Sequence, residues 1–379
     1  MPVLSLGADL VTRDLLPMTQ EALDKRYAPR FEGPIETLPG WIVGTTATFR
    51  PPVFNRESPA LLEIRRRVIA AVLGRDSCEI LITADSKGSN FQGLVMGWPE
   101  QVRRSLAAAD GFVQADDGLM DPRWTLVGMQ LAPTTSIGVR PTTTGTTDPK
   151  SAQFATLDGF AGGTLWARIP GGGPATLTID GTATAVTIPA TAGFHPIPLG
   201  TLPPNPHTVK LEATGDLYVS GITLTYDTPM LRISNPARPS SAASDWSGTS
   251  PTGRFATVVD GPATSPDVII SALGTNEITD LNALTVYYDQ LAALGVPVII
   301  ISPGGIDGNR GLEPTHALAA HLYQIAQQHD WPLIDEEQVI GLYAQANAHQ
   351  LMLDGLHGNT RASALLAMVV VALIAGAIA

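Results

Sequence analysis

Three near-continuous aliphatic runs constrain this chain more than any other feature. They are Ile80-Leu81-Ile82-Thr83, Val268-Ile269-Ile270-Ser271-Ala272-Leu273 and Val296-Pro297-Val298-Ile299-Ile300-Ile301. Met230-Leu231-Arg232-Ile233 and Pro332-Leu333-Ile334 are shorter runs of the same kind, making five candidate strands. Helical stretches separate them, notably residues 280–294 and 314–330. Val/Ile runs that alternate with helices imply a parallel sheet covered on both faces. Ser58-Pro59 opens another helix, with Ser at the N-cap and Pro at the first position, and Gly74 closes it. A further helix is expected over 101–109, after Trp98-Pro99-Glu100.

Between the first two runs the composition changes. From about 111 to 226 Thr, Gly and Pro dominate, and helical periodicity gives way to short alternating runs such as Ala175-Thr176-Leu177-Thr178-Ile179. Asp180-Gly181 is a strong hairpin signal. The spacing reads as an all-β sandwich or jelly roll set into the α/β domain. The expected organisation is an N-terminal arm at 1–57, a discontinuous α/β domain at 58–110 and 227–379, and an inserted β-sandwich at 111–226. Because both flanks belong to the α/β domain, removing 112–225 is expected to leave that domain folded.

The net charge of −12 argues against nucleic-acid binding, which rests on Lys and Arg neutralising phosphates. The basic cluster Arg65-Arg66-Arg67 sits in a helical pattern and reads as a solvated helix face. Cys78 is the sole cysteine, which excludes an intrachain disulfide and any Cys-based zinc site; it reads as a packing residue. No secretory signal is visible at the N-terminus. The apolar run 364–379 falls just short of the ~18 to 20 residues of a spanning helix, so a helix buried against the sheet is favoured over a membrane anchor.

The first aliphatic run leads directly into Ala84-Asp85-Ser86-Lys87-Gly88-Ser89. A serine at a strand's C-terminal edge lies where sites form in open α/β sheets. Such a serine needs a base, and Asp354-Gly355-Leu356-His357 supplies a candidate near the other end of the chain. Gly274-Thr275-Asn276-Glu277 follows the second run directly. Taken singly, Asp85-Ser86 fits an ordinary turn, Asn276 a helix cap and His357 a turn histidine.

Together and in this order the blocks resemble the SGNH hydrolases, also called GDSL esterases, over about 58–110 and 227–379. Ala84-Asp85-Ser86 matches Gly-Asp-Ser with Ala for Gly. Gly274-Thr275-Asn276-Glu277 matches Gly-x-Asn-Asp with Glu for Asp. Asp354-Gly355-Leu356-His357 matches Asp-x-x-His. In the remaining block, spacing from Asn235 and Trp246 places Ser240 where the family has glycine.

The resemblance implies a flavodoxin-like three-layer α/β/α fold carrying the inserted jelly-roll-like domain. It implies a serine esterase in which Ser86 is the nucleophile, His357 the base and Asp354 its orienting partner. The oxyanion would face the Asn276 amide and the N–H groups of Ser86 and Ser240, with no cofactor or metal required. The insertion resembles carbohydrate-binding modules, which points to an acylated glycan or glycolipid as substrate. Trp166, Tyr218 and Phe194 are candidates for a stacking surface or for core. Thr19-Gln20-Glu21-Ala22-Leu23-Asp24-Lys25-Arg26-Tyr27 resembles N-terminal segments of phage tail proteins, which implies a virion or cell-surface assembly. The alternatives are a lipase or thioesterase on small acyl substrates, and a catalytically inactive scaffold that binds carbohydrate or a receptor.

Overall fold

The computed structural model describes residues 53–89, 96–115, 121–142, 149–156, 158–248, 250–277 and 280–376. The expected arm therefore lies almost wholly outside the described residues, including 19–27. Its last part supplies strand β1 (Val53–Phe54), which runs antiparallel to β18 (Leu333–Asp335) at one sheet edge.

The parallel sheet also contains β2 (Cys78–Ala84), β3 (Ala109–Asp110), β15 (Leu231–Ser234), β16 (Val268–Ala272) and β17 (Val298–Ser302). Among the described residues it has seven strands, in the order β1-β18-β17-β16-β2-β15-β3. Two more strands occur than the aliphatic runs predict, because β1 and β3 are two-residue edge strands with no periodicity to read. The helix expected over 101–109 runs instead over Trp98–Ser105 (α2). It stops where Ala107 takes a left-handed φ of 49°, freeing Ala109 and Asp110 to form β3.

The continuous apolar runs have a direct cause. Ile80, Ile82 and Ala84 of β2 enter one core, and Leu81 enters the other. Val268 and Ile270 are likewise divided from Ile269, and Ile299 and Ile301 from Val298 and Ile300. The first core is covered by α1 (Pro59–Val72), α2 and the C-terminal helix α9 (Thr360–Ile374). The second is covered by α3 (Ala243–Ser247), α4 (Leu281–Ala293) and α6 (Leu312–Gln328). Leu366, Val370 and Leu373 bury one face of α9, and no helix among the described residues is long and apolar enough to cross a membrane. Cys78 is buried on β2.

Strands β4 to β14 lie between β3 and β15 in the chain. One antiparallel sheet pairs β5 (Trp124–Val127), β8 (Lys150–Ala155), β10 (Gly173–Ile179), β11 (Thr182–Ile188) and β13 (Thr208–Ala213). The other pairs β6 (Met129–Leu131), β7 (Val139–Pro141), β9 (Phe160–Arg168), β12 (His195–Asn205) and β14 (Tyr218–Thr225), with β4 (Phe112–Gln114) also on β14. Their facing sides share a core that includes Phe154, Leu165, Leu211 and Val219. Asp180 (φ 49°) and Gly181 (φ 85°) make the two-residue turn between β10 and β11, both in the left-handed region that such hairpins require.

This β unit is not packed only upon itself. Phe112, Ile137 and Trp166 belong to the second core of the parallel sheet, alongside Leu81, Ile269 and Tyr287. Trp166 is therefore core, with its Nε1–H donating to Thr223 Oγ1 at 2.9 Å. Phe194 packs half-buried against the same core, and Arg168 covers the ring of half-buried Tyr218 at 5.2 Å.

Candidate active site

Strand β2 lies inside the sheet, with β16 on one side and β15 on the other. The chain leaves β2, returns on β15 and then crosses to β16, so the carboxyl end of β2 is a topological switch point, the usual ligand position in such sheets. Ser86 stands there, 7% exposed, opening a short 3-10 turn over Ser86–Gly88. Asp85 caps that turn by accepting from the Lys87 N–H at 2.9 Å. Burial pushes the Asp85 carboxyl above its ordinary range, against the pull of that N–H and of the Lys87 charge. Gly88 is required, since a Cβ there would collide with the methyl of Ala84.

Two segments far apart in the chain meet at Ser86. His357 Nε2 lies 2.9 Å from Ser86 Oγ, and His357 Nδ1 lies 2.8 Å from Asp354 Oδ2. Asp354 Oδ1 accepts from the N–H groups of Leu356 and His357, each at 2.7 Å. Burial alone raises this carboxyl, but the ring and backbone donors outweigh it and hold it below the ordinary aspartate value. The loop is fastened at both ends by backbone bonds, Leu353 N–H to His357 O and Asn359 N–H to Leu351 O, each 2.8 Å. Asn359 then caps α9, accepting from the Arg361 and Ala362 N–H groups. With Nδ1–H held by a carboxylate, Nε2 presents its lone pair to the serine hydroxyl.

The remaining candidates gather beside this chain of bonds. Ser240 is exposed in the turn between β15 and α3, with φ 63°. That left-handed conformation is one glycine adopts at no cost, so the serine occupies a glycine-type backbone position. Its neighbours pack on the end of β2, where Ala84 O accepts from Arg238 N–H (3.2 Å) and Ser241 Oγ–H (3.3 Å). The Asn276 amide donates from Nδ2 to Ser241 O at 2.9 Å and accepts at Oδ1 from Arg310 Nη2 at 3.2 Å, so its plane is held from both sides. Glu277 is buried and accepts at Oε1 from the Ala243 N–H. Burial, reinforced by the nearby Asp85 and Asp245 charges and opposed by that N–H, pushes Glu277 up to about 7.

Several participants carry no local sequence signal. Lys87 Nζ pairs with Glu336 at 3.0 Å and donates to Gly304 O, tying the serine turn to the ends of β17 and β18. Arg310 comes from a four-residue helix, α5 (Asp307–Arg310), and reads in sequence as surface charge. A cleft of about 420 Å³ beside Ser86 is bordered by Trp98, Leu353, His357 and Leu366. A second, polar cleft of about 640 Å³ begins on the other side of Ser89, between the parallel sheet and the β unit, with Glu100, Arg103, Gln114, Arg123 and Asn235 on its walls. Among the described residues no group of three His, Cys, Asp or Glu side chains is placed to hold a metal ion.

No protein-family model matches the sequence, and no curated protein matches it. Solved structures do. A peptidoglycan O-acetylesterase superposes with a TM-score of 0.61 at 17% identity, covering 86% of this chain and 100% of that one. A family two carbohydrate esterase from Cellvibrio japonicus matches at 12% identity and a TM-score of 0.27, covering 71% of this chain and 98% of that one. Axe2, an acetylxylan esterase from Geobacillus stearothermophilus, matches at 19% identity and a TM-score of 0.29, covering 38% of this chain and 73% of that one. The first likeness spans both the parallel sheet and the β unit. The chain shares the three-layer α/β fold of that esterase.

Proposed function

We propose that this chain is a serine esterase that removes O-acyl groups from glycans, acting through Ser86, His357 and Asp354. The observation that carries the reading is the unbroken path Ser86 Oγ to His357 Nε2 to Asp354, with contacts of 2.9 and 2.8 Å. Ser86 Oγ attacks the ester carbonyl while His357 Nε2 takes its proton. The tetrahedral intermediate collapses, the C–O bond to the alcohol breaks, and His357 returns the proton to the leaving oxygen. Water, deprotonated by His357, then attacks the acyl-serine, releasing the acid and regenerating Ser86. Asp354 orients the ring and stabilises the imidazolium formed in each half-reaction.

The oxyanion faces the N–H groups of Ser86 and Ser240 and the second Asn276 N–H. One such donor is worth about 3 to 4 kcal/mol in the transition state. The solved structure that superposes with a TM-score of 0.61 is an O-acetylesterase of peptidoglycan, which supports an O-acetylated bacterial envelope glycan as substrate. A polar cleft beside Ser89, walled by Glu100, Arg103, Gln114 and Arg123, offers donors and acceptors suited to sugar hydroxyls.

Hydrolysis of p-nitrophenyl acetate, butyrate and longer esters tests the reading. Wild type is expected to turn over the acetate, while Ser86→Ala and His357→Ala each lose about a thousandfold or more in kcat. Preference for acetate over long chains separates a deacetylase from a lipase. A wild type that is inert and unreactive toward an organophosphonate defeats the proposal and leaves a carbohydrate- or receptor-binding scaffold.

A further inference from the structure

Arg254 is fully buried, and no carboxylate among the described residues lies within ion-pair distance of it. Its Nε donates to Thr134 O at 3.1 Å, and its Nη1 donates to Gln114 Oε1 at 3.0 Å and to Pro236 O at 2.7 Å. The guanidinium carbon sits 4.9 Å from the centre of the Trp246 ring, a cation–π contact, and Nη2 is buried without a partner. Burying an unpaired cation is among the costlier things a fold can do. A leucine or methionine could fill the same space without that cost.

The partners explain the arginine. Gln114 ends β4, and Thr134 lies in the loop between β6 and β7, so both belong to the β unit. Pro236 begins the segment that carries Ser240 past the end of β2. A second strut runs parallel, from Arg238 Nη1 to Pro133 O at 3.2 Å. On the opposite side, Asn276 grips Ser241 O and Glu277 grips the Ala243 N–H. Segment 236–243 is thus held between the parallel sheet and the β unit. Arg254 immediately precedes a π-helical turn, Phe255–Val259, a geometry that is rare and often found at functional sites.

We infer that Arg254 is a positioning residue for the esterase reaction: it fastens the Ser240 segment to the inserted β unit, so that the β unit helps set the oxyanion-binding geometry. The inference rests on the proposed esterase activity for its kinetic consequence only. The hydrogen-bond pattern makes a separate claim, that segment 236–243 is ordered through Arg254.

Arg254→Met and Arg254→Lys, assayed on p-nitrophenyl acetate with amide hydrogen exchange followed in parallel, test both claims. Arg254→Met removes a buried charge and keeps the volume, so its thermal midpoint is expected to stay within a few degrees of wild type. Its kcat falls by about tenfold to a hundredfold with KM changed by less than about twofold, and amides 240–243 exchange faster while those of β2 and α9 do not. Arg254→Lys recovers part of kcat. A purely structural arginine would lower the midpoint and leave the kcat of the folded fraction intact, which overturns the inference. Wild-type protection at 240–243 in Arg254→Met overturns it as well. If Arg254→Met does not fold, Gln114→Met, which removes one acceptor, is expected to loosen the same amides, and unchanged exchange there refutes the idea. An inert wild type defeats the esterase reading, while the exchange data still decide the positioning claim.

Discussion

In β2 every residue from Cys78 to Ala84 is buried, whereas along β13 burial alternates, with Val209, Leu211 and Ala213 inside and Thr208, Lys210 and Glu212 half-exposed. The first pattern belongs to a strand between two helical layers and the second to a strand with one face in water. The difference teaches where precise chemistry can be placed. A strand gripped on both faces has little freedom to shift, and Ser86 and Asn276 both follow such strands. Among the described residues the antiparallel sheets bring none to the Ser86–His357–Asp354 path. What they contribute is a wall: Phe112, Ile137 and Trp166 complete a core, and Gln114 and Thr134 hold Arg254.

That shared core reverses one expectation drawn from chain order. Removing 112–225 deletes Phe112, Ile137 and Trp166 and exposes Leu81, Ile269 and their neighbours to water, so the joined flanks are expected to lose cooperative unfolding altogether. Circular dichroism melting checks this directly. A sharp transition in the shortened chain would restore the picture of two independent regions. The next largest effect is expected from Trp166→Ala, at about 3 to 5 kcal/mol by the usual cost of truncating a buried tryptophan. Loss of Trp166 also breaks a relay to Ala263, since Thr223 Oγ1 accepts from Trp166 Nε1 and donates to Ala263 O at 2.6 Å. Calorimetry is expected to show one transition moved downward. Two separated transitions would mean that the regions melt apart.

The contrast between the regions also governs how much was legible in the sequence. Continuous Val/Ile runs report strands buried on both faces, and Ser86, Asn276 and His357 stand at their ends or beside the last helix, so short motifs located them. Asp354 is legible because it lies in the same turn as His357, three residues before it, and bonds to its ring. Arg254 was not legible, because nothing in a Ser/Thr/Gly-rich stretch says that an arginine is enclosed by three distant segments. Arg310 and the Lys87–Glu336 pair are long-range in the same way. Ser240 was placed by spacing alone, and only the backbone reveals why glycine suits the position. The departure at Glu277 reads in sequence as a defect. In the fold the longer side chain reaches the Ala243 N–H at the start of α3.

Glu277 offers a pH test on the parallel-sheet side. Its carboxyl is raised from an ordinary 4.5 to about 7 in the folded chain. The sign is that of a group protonated more readily when folded: its contribution is fully present below 4.5 and is lost as pH rises through about 7. Glu277→Gln keeps an acceptor for Ala243 and abolishes the titration. The variant is therefore expected to gain on wild type between those values, reaching a difference of about 2 to 3 kcal/mol at pH 8. Chemical denaturation across that range measures it, and parallel stability curves would show that Glu277 ionises normally.

The matching test on the β unit has the smallest expected effect and the most specific shape. His207 is buried, with Nδ1 2.6 Å from Asp180 Oδ2 and Nε2 2.8 Å from Pro203 O. Acceptors at both ring nitrogens are satisfied together only by the imidazolium. Burial opposes that charge, but the Pro203 carbonyl and the Asp180 carboxylate outweigh it and raise His207 above 6.5. The Thr208 N–H and His207 in turn hold Asp180 below its ordinary 3.8. The pair is complete where Asp180 is ionised and His207 protonated. Its contribution is lost as pH falls through the depressed Asp180 value and again as pH rises through the raised His207 value. Asp180→Asn suits the same two-residue turn and keeps the Thr208 contact, while it removes the charge and turns an amide donor toward His207 Nδ1. Wild type minus variant is expected to be a bell in pH, below about 1 kcal/mol at its top because Asp180 faces solvent. Because the two regions share a core, that bell should appear in the global unfolding of the whole chain. A bell confined to local exchange of the β10–β11 hairpin would mean that this end of the β unit opens without the rest.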